Sequence, residues 1–124
     1  MIETLPSGIR LKNLIQDHHA EILRREKNND KFVHLYGIGI YWVAFEQSAY
    51  RLNEIFPRCE LSLFMVSDRL DYVVMASVSE DEATTCFCEH IISCDGLNYK
   101  VLEVSPLLAD YYHKWHVSAV RAVL

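Results

Sequence analysis

Cys86, Cys88, His90 and Cys94 fall within nine residues, and thiolate with imidazole is the donor set of a zinc centre. On a helix spanning them, Cys86, His90 and Cys94 share one face at i, i+4 and i+8, whereas Cys88 points elsewhere. Four ligands from one such helix do not close a tetrahedron, so the spacing favours a helix face packed with small, soft side chains over a metal. His113 and His116 add ligands only if the fold brings them near. A phosphate cradle needs several glycines and usually a Lys-Ser/Thr pair behind them, opening a helix. Gly37-Ile38-Gly39 lacks the third glycine, the lysine and the helix, and reads as a tight turn rather than a nucleotide site. No local signature such as a nucleophile elbow marks a serine or cysteine for covalent catalysis, so neither an enzyme nor a cofactor is expected. A different chemistry is offered by Tyr36, Tyr41, Trp42 and Phe45, gathered around two glycines. Clustered aromatics of this kind can stack or wedge against nucleic-acid bases, although strand geometry sends about half of them inward.

The elements that must position these residues follow from periodicity and punctuation. From Gly8 to Lys27, Ile9 or Leu11, then Leu14, Ile15, Ile22 and Leu23 recur at helical spacing, with Ser7 available as cap and the polar run 27–31 as stop. Phe32–Tyr36 has strand composition, and Ile40–Phe45 continues beyond the glycines as a second strand, giving a short aromatic hairpin. Glu46 to Phe56 puts Ala49, Leu52 and Phe56 on one helical face ahead of Pro57. Glu60–Val66 and Asp71–Val78 read as strands joined by Ser67-Asp68-Arg69-Leu70. Ser79 caps a helix with Glu80, Asp81 and Glu82 in its first turn, where the helix dipole favours negative charge; this helix is expected to carry Ala83, Phe87 and Ile91 and to stop before Asp95-Gly96. Asn98–Val104 is a strand, Pro106–Lys114 a loop or short helix, and His116–Val123 a last strand. Paired strands punctuated by helices predict an α+β fold, a mixed and mostly antiparallel sheet flanked by about three helices.

With 124 residues, 51% of them apolar, the chain has material for one domain over 1–124 and one core. The longest unbroken apolar run, Ile40 to Phe45, is six residues, far below the roughly 18 needed to cross a bilayer. No export signal opens the sequence, so a cytoplasmic location is expected, and with it four reduced cysteines and no disulfide. Twelve basic against seventeen acidic side chains give a net charge of −5, which argues against a general polyanion binder. The charge is uneven: +1 over residues 1–31, −2 over 32–79 and −4 over 80–124. An anionic partner therefore belongs near the N-terminal part.

Tyr36-Gly37-Ile38-Gly39-Ile40-Tyr41-Trp42-Val43-Ala44-Phe45, followed by Glu46-Gln47-Ser48-Ala49-Tyr50-Arg51-Leu52, resembles the opening motif of the N-terminal mismatch-recognition domain of the MutS family of DNA mismatch repair proteins. That motif reads aromatic-arginine-methionine-glycine-aspartate-phenylalanine-tyrosine-glutamate-leucine-phenylalanine, ahead of a helix beginning acidic-acidic-alanine, and the register holds without a gap. Val74-Met75-Ala76-Ser77-Val78-Ser79 is similar to the family's Pro-Met-Ala-Gly-Ile-Pro segment, and Ser118-Ala119-Val120-Arg121-Ala122-Val123 resembles its closing strand. The resemblance runs from the first helix to the last strand and implies that domain alone, without connector, lever, clamp or ATPase domains.

In the family, the phenylalanine of the motif enters the minor groove and stacks on the mismatched base, and the glutamate two residues later hydrogen-bonds it. Tyr41 falls on the phenylalanine, Ile40 on the aspartate and Val43 on the glutamate. The resemblance thus implies a DNA-contacting tip made of Tyr41 with Gly37, Gly39 and Trp42, able to stack but without the polar half of mismatch reading. The expected function is a non-catalytic DNA-associated module that holds double-stranded or distorted DNA weakly. The alternative is a protein-interaction or scaffolding domain with no DNA role, and a metal-dependent enzyme built on the Cys/His cluster ranks third. No membrane or nucleotide partner is expected. If the wedge is kept, Tyr41 stands exposed at the rim of the sheet while Phe45 enters the core.

Overall fold

Trp42, Val43, Ala44 and Phe45 are all buried, yet they alternate between two separate apolar clusters. A strand with both faces buried lies inside a sheet covered on both sides. The computed structural model describes residues 6–66 and 72–124. In chain order it places α1 (Ser7–Glu26), β1 (Phe32–Gly37), β2 (Tyr41–Phe45), α2 (Glu46–Ile55), β3 (Glu60–Phe64), β4 (Val73–Ser79), α3 (Glu80–Glu89), β5 (Ile91–Asp95), β6 (Tyr99–Glu103) and α4 (Ala109–Val123). The fold is α+β. Its six-stranded sheet has the order β3-β4-β2-β1-β6-β5, and every neighbouring pair is antiparallel.

One face carries Val33, Leu35, Trp42, Ala44, Ala76, Val78 and Leu102, covered by Ala49 and Leu52 of α2 and by Ala83 and Cys86 of α3. The other carries Tyr36, Val43, Phe45, Val73 and Met75, covered by Ile22 with Leu11, Leu14, Ile15 and Leu23 of α1. The heptad-like spacing that marks α1 in the sequence is therefore the stripe it lays on the sheet. α4 packs on α2: the Trp115 ring lies tilted against Tyr50, with ring centroids 5.2 Å apart, and donates its indole N–H to the Asn53 side chain at 3.0 Å.

Several expected boundaries are corrected. Ser7 does not cap α1; Pro6 occupies the N-cap position and Ser7 lies within the helix. The helix started by Ser79 does have its capping box with Glu82, but it ends at Glu89 rather than before Asp95. His90 is extended, with φ −127° and ψ 157°, and its Nδ1 lies 2.9 Å from the Cys86 carbonyl oxygen, closing the last turn. Beyond it, Ile91 and Ile92 form an edge strand paired with β6, because β-branched residues beside an available partner strand gain more from the ladder than from another helical turn. The expected last strand, His116–Val123, is instead the second half of α4. Tyr112, Trp115, His116 and Ala119 stand at helical spacing with neither glycine nor proline among them, and that period outweighs the strand preference of Val117, Val120 and Val123. Among the described residues, four helices accompany the sheet, in keeping with the expected α+β fold. The expected turn Ser67–Leu70 and the strand start Asp71 lie outside the described residues.

Phe45 is 1% exposed and meets Phe64 edge-on, with centroids 5.8 Å apart, and Tyr36 at 5.7 Å. Replacing it with alanine should cost about 3–5 kcal/mol of unfolding free energy in urea titrations, the usual cost of truncating a core aromatic. Tyr41→Ala should change the same measurement by less than about 0.5 kcal/mol.

Candidate functional site

β1 and β2 meet in a turn whose central residues are Gly39 and Ile40, closed by Ile38 N–H donating to the Tyr41 carbonyl at 3.0 Å. Gly39 has φ +108°, the left-handed region that a hairpin turn of this length demands at its first central position. A Cβ on Gly39 would also stand 2.8 Å from Ser7 Oγ and 3.5 Å from Arg10 Nη1, so the start of α1 lies directly against the turn. On the opposite side, the Ile40 carbonyl accepts from Glu80 N–H, the first amide of α3, at 3.0 Å. The tip is thus held between two helix starts. Ile40 is 65% exposed and Tyr41 43%, so both side chains stand at the rim of the sheet.

The remaining residues expected at this tip are structural. Trp42 is buried under Phe87, edge-on at 5.3 Å, and cannot reach a partner on the surface. This is a correction, and its cause is strand alternation: with Tyr41 outward on the α1 face, Trp42 must turn to the other face. Gly37 pairs with Trp42 across the hairpin, and a Cβ there would press on the indole at 3.2 Å, so this glycine makes room for the ring. Val43 is fully buried beneath α1 and offers nothing to a ligand.

The cysteine cluster is dispersed. Cys86 and His90 keep their i, i+4 relation, with Sγ 3.7 Å from Nδ1, but Cys94 sits on β5, and the shared helix face does not form. Burial lifts the Cys86 thiol to about 11, with Glu89 adding to the rise, so it is a poor nucleophile. Among the described residues, no three of His, Cys, Asp and Glu are placed to hold a metal ion.

The structure adds a feature that residue spacing does not reveal. α2 follows β2 with no spacer, and its N-cap, Phe45, has no side chain that can accept from the helix. Glu26, at the end of α1, does so instead: its carboxylate accepts from Ser48 N–H at 2.9 Å and from Ser48 Oγ at 2.8 and 2.9 Å, with Asn29 Nδ2 at 3.0 Å. Glu46, the first residue of α2, has φ +52°, which turns its carboxylate back toward the sheet. There it accepts from Val74 N–H at 2.8 Å and lies 3.1 Å from His116 Nε2 of α4. Both carboxylates line a cleft of about 710 Å³ between the end of α1, the start of α2 and α4, together with Tyr112, His113 and His116. The signal available in sequence was an uncapped helix start directly after a strand.

Burial pushes the Glu26 carboxyl up to about 7, and the neighbouring Glu46 adds to this, against the hydrogen bonds from Asn29 and Ser48 that favour the ionised form. His34, whose ring lies 2.8 Å from the Tyr99 hydroxyl, is depressed to about 4, first by burial and then by Arg25.

Comparison with known proteins supplies no relative: no family model, curated protein or solved structure matches the chain.

A raised acid favours the folded state most below its unfolded value of 4.5, and that contribution is lost as pH rises through about 7. His34 works in the opposite sense, its contribution present above 6.5 and lost as pH falls through about 4. Glu26→Gln keeps an acceptor for Ser48 N–H without the charge. Relative to wild type it should gain up to about 3 kcal/mol of stability between pH 4.5 and 8, read from denaturant midpoints across that range. Gly39→Ala should lose about 1–2 kcal/mol, since a side chain at that φ is strained.

Proposed function

We propose that this protein is a non-catalytic module that sets the tip of the β1–β2 hairpin against double-stranded or distorted DNA, stacking through Tyr41 without base-specific hydrogen bonds. The observation that carries this reading is the exposure of Tyr41 on a turn fixed by Gly39, while the residues that follow it are core. An aromatic ring held at a rigid rim has little conformational entropy to lose on stacking. The resemblance of Tyr36–Leu52 and Val74–Ser79 to the mismatch-recognition domain of MutS supports the same reading. Ser118–Val123 does not, because it is helical here. With Val43 buried, the position that supplies a hydrogen-bonding glutamate in that family offers no polar group, so discrimination among bases should be slight. We place the protein in the cytoplasm, where its four free thiols stay reduced.

A second reading, docking of the same tip onto another protein, is favoured by one specific observation. Tyr41 pairs with Ser79, and Glu80, Asp81 and Glu82 follow immediately, so three carboxylates stand on one side of the ring. Those charges repel phosphates and lower any DNA affinity.

Fluorescence anisotropy titrations with matched, mismatched and single-stranded DNA at low salt test the choice. Weak binding is expected, tighter for mismatched than for matched duplex. Tyr41→Ala should weaken it by about 1–3 kcal/mol, the usual worth of one stacked base, without moving the melting temperature. Absence of wild-type binding even at low salt would end the DNA reading and leave protein docking.

A further inference from the structure

Arg10 reaches the hairpin turn, its Nη1 3.5 Å from the Cβ position of Gly39, and its setting differs from that of the ion-paired cations among the described residues. Arg25 faces Glu21 at 2.6 Å, Arg51 faces Glu54 at 3.3 Å and Lys100 is joined to Asp95. Arg10 instead donates to the neutral amide oxygen of Asn98 at 3.3 Å, and among the described residues it has no carboxylate within ion-pair distance. A guanidinium has five N–H donors in a planar fork, and one bond to an amide leaves both its charge and most of its donors uncompensated. Arg10, in the first turns of α1, is half-buried, and a small pocket of about 260 Å³ opens beside it, lined also by Asn13, Asp17, His18 and Asn98. Apart from Asp17, these polar groups can donate hydrogen bonds. The first turn of α1 carries no acidic residue, in contrast to the three carboxylates that open α3. The two flanks of the hairpin tip are therefore electrostatically opposite.

We infer that the pocket at Arg10, Asn13, His18 and Asn98 seats a backbone phosphate of the duplex beside the Tyr41 contact, so that the DNA strand crosses the N-terminal half of α1 and avoids α3. The inference rests on the DNA reading of the hairpin tip and goes beyond it by fixing the side from which the duplex approaches. The reach is short: Arg10 Nη1 lies 3.5 Å from the Cβ position of Gly39, two residues from Tyr41. A fork-shaped cation suits a phosphate with two oxygens free to accept, and a shallow pocket suits a group that stays partly hydrated. Asp17 is the one lining carboxylate. Its charge opposes the anion, which gives the proposal a test in both directions.

The experiment measures binding of a mismatched duplex by the whole protein across a salt series, for wild type, Arg10→Gln, Arg10→Lys, Asp17→Asn and Tyr41→Ala. Loss of one phosphate contact should make Arg10→Gln roughly tenfold weaker at low salt and lower the magnitude of the slope of log K against log salt by about 1. Arg10→Lys should restore the slope while recovering only part of the affinity, because it keeps the charge without the fork. Asp17→Asn should tighten binding several-fold. Tyr41→Ala should weaken binding and leave the slope unchanged, since stacking displaces no counterions. If Tyr41→Ala weakens binding while Arg10→Gln keeps the wild-type slope, the phosphate seat is wrong and the DNA reading stands. If wild type binds no DNA at all, both are overturned. Melting temperatures of the five proteins show whether any loss reflects folding, and an Arg10→Gln effect that Arg10→Lys fails to restore in slope counts against the seat.

Discussion

α2 begins where β2 ends, and this junction is the constraint on which the surrounding elements depend. A helix start presents backbone N–H groups that need acceptors, and Phe45 provides none. Glu26 reaches from the end of α1 to Ser48, the third residue of α2. The β2–β4 ladder stops at Phe45 opposite Met75, so Val74 N–H would face the departing chain, and Glu46 supplies the acceptor that the next strand residue would have provided. The left-handed backbone at Glu46 is what turns its carboxylate into that position. Two carboxyl groups then sit at the N-terminal end of α2, one from its own first residue and one from α1, where the helix dipole favours whatever negative charge they carry. Through them α1, β4 and α4 are tied to a single helix start. Because Glu26 and Glu46 are almost wholly buried, losing either would leave donors inside the protein without acceptors, which costs more than the bond itself contributes.

α1 is fixed to the sheet along its length as well as at its end. Arg25 lies 4.6 Å over the Tyr99 ring and 3.2 Å from the Tyr36 hydroxyl, and Tyr99 stacks in turn on His34. These contacts run along the face that Val43 and Phe45 also fill, so the covering helix cannot slide without breaking polar and apolar packing together. The carboxylate junction closes one end of the β1–β2 hairpin. The other end, fixed by the Gly39 turn, is the one that reaches solvent. A rigid scaffold behind an exposed aromatic is the usual arrangement for a recognition surface, since the ring is presented without an ordering cost at the moment of contact. The flanks of that tip differ in charge, with Arg10 on one side and the acidic start of α3 on the other, and this asymmetry limits how a polyanion can approach it.

Much of the fold is legible in the sequence because it is written in local signals. The stripe of Leu11, Leu14, Ile15, Ile22 and Leu23, the glycines of the hairpin, Pro57 after α2 and the Ser79-to-Glu82 capping box each act over a few residues, and each appears where periodicity and turn chemistry place it. The alternation of Tyr41, Trp42, Val43 and Phe45 likewise says that some aromatics must be core. Where the sequence misled, two local preferences competed. Ile91 and Ile92 continue a helical pattern as well as they begin a strand, and Val117, Val120 and Val123 favour strand composition inside a helical period. In both cases the available tertiary partner decided: β6 for Ile92, and α2 for Trp115.

What the sequence determined by itself was the class of the fold, the presence of a glycine-fixed aromatic hairpin and the uneven spread of charge. Which aromatic faces outward was decided by the tertiary structure, because strand alternation has two possible phases and only the packing of α1 and α3 selects one. The same holds for Glu26, Glu46 and His116, which lie far apart in sequence. No spacing rule links residues 26, 46 and 116; they meet because a helix start without its own cap draws acceptors from whichever elements the sheet brings beside it.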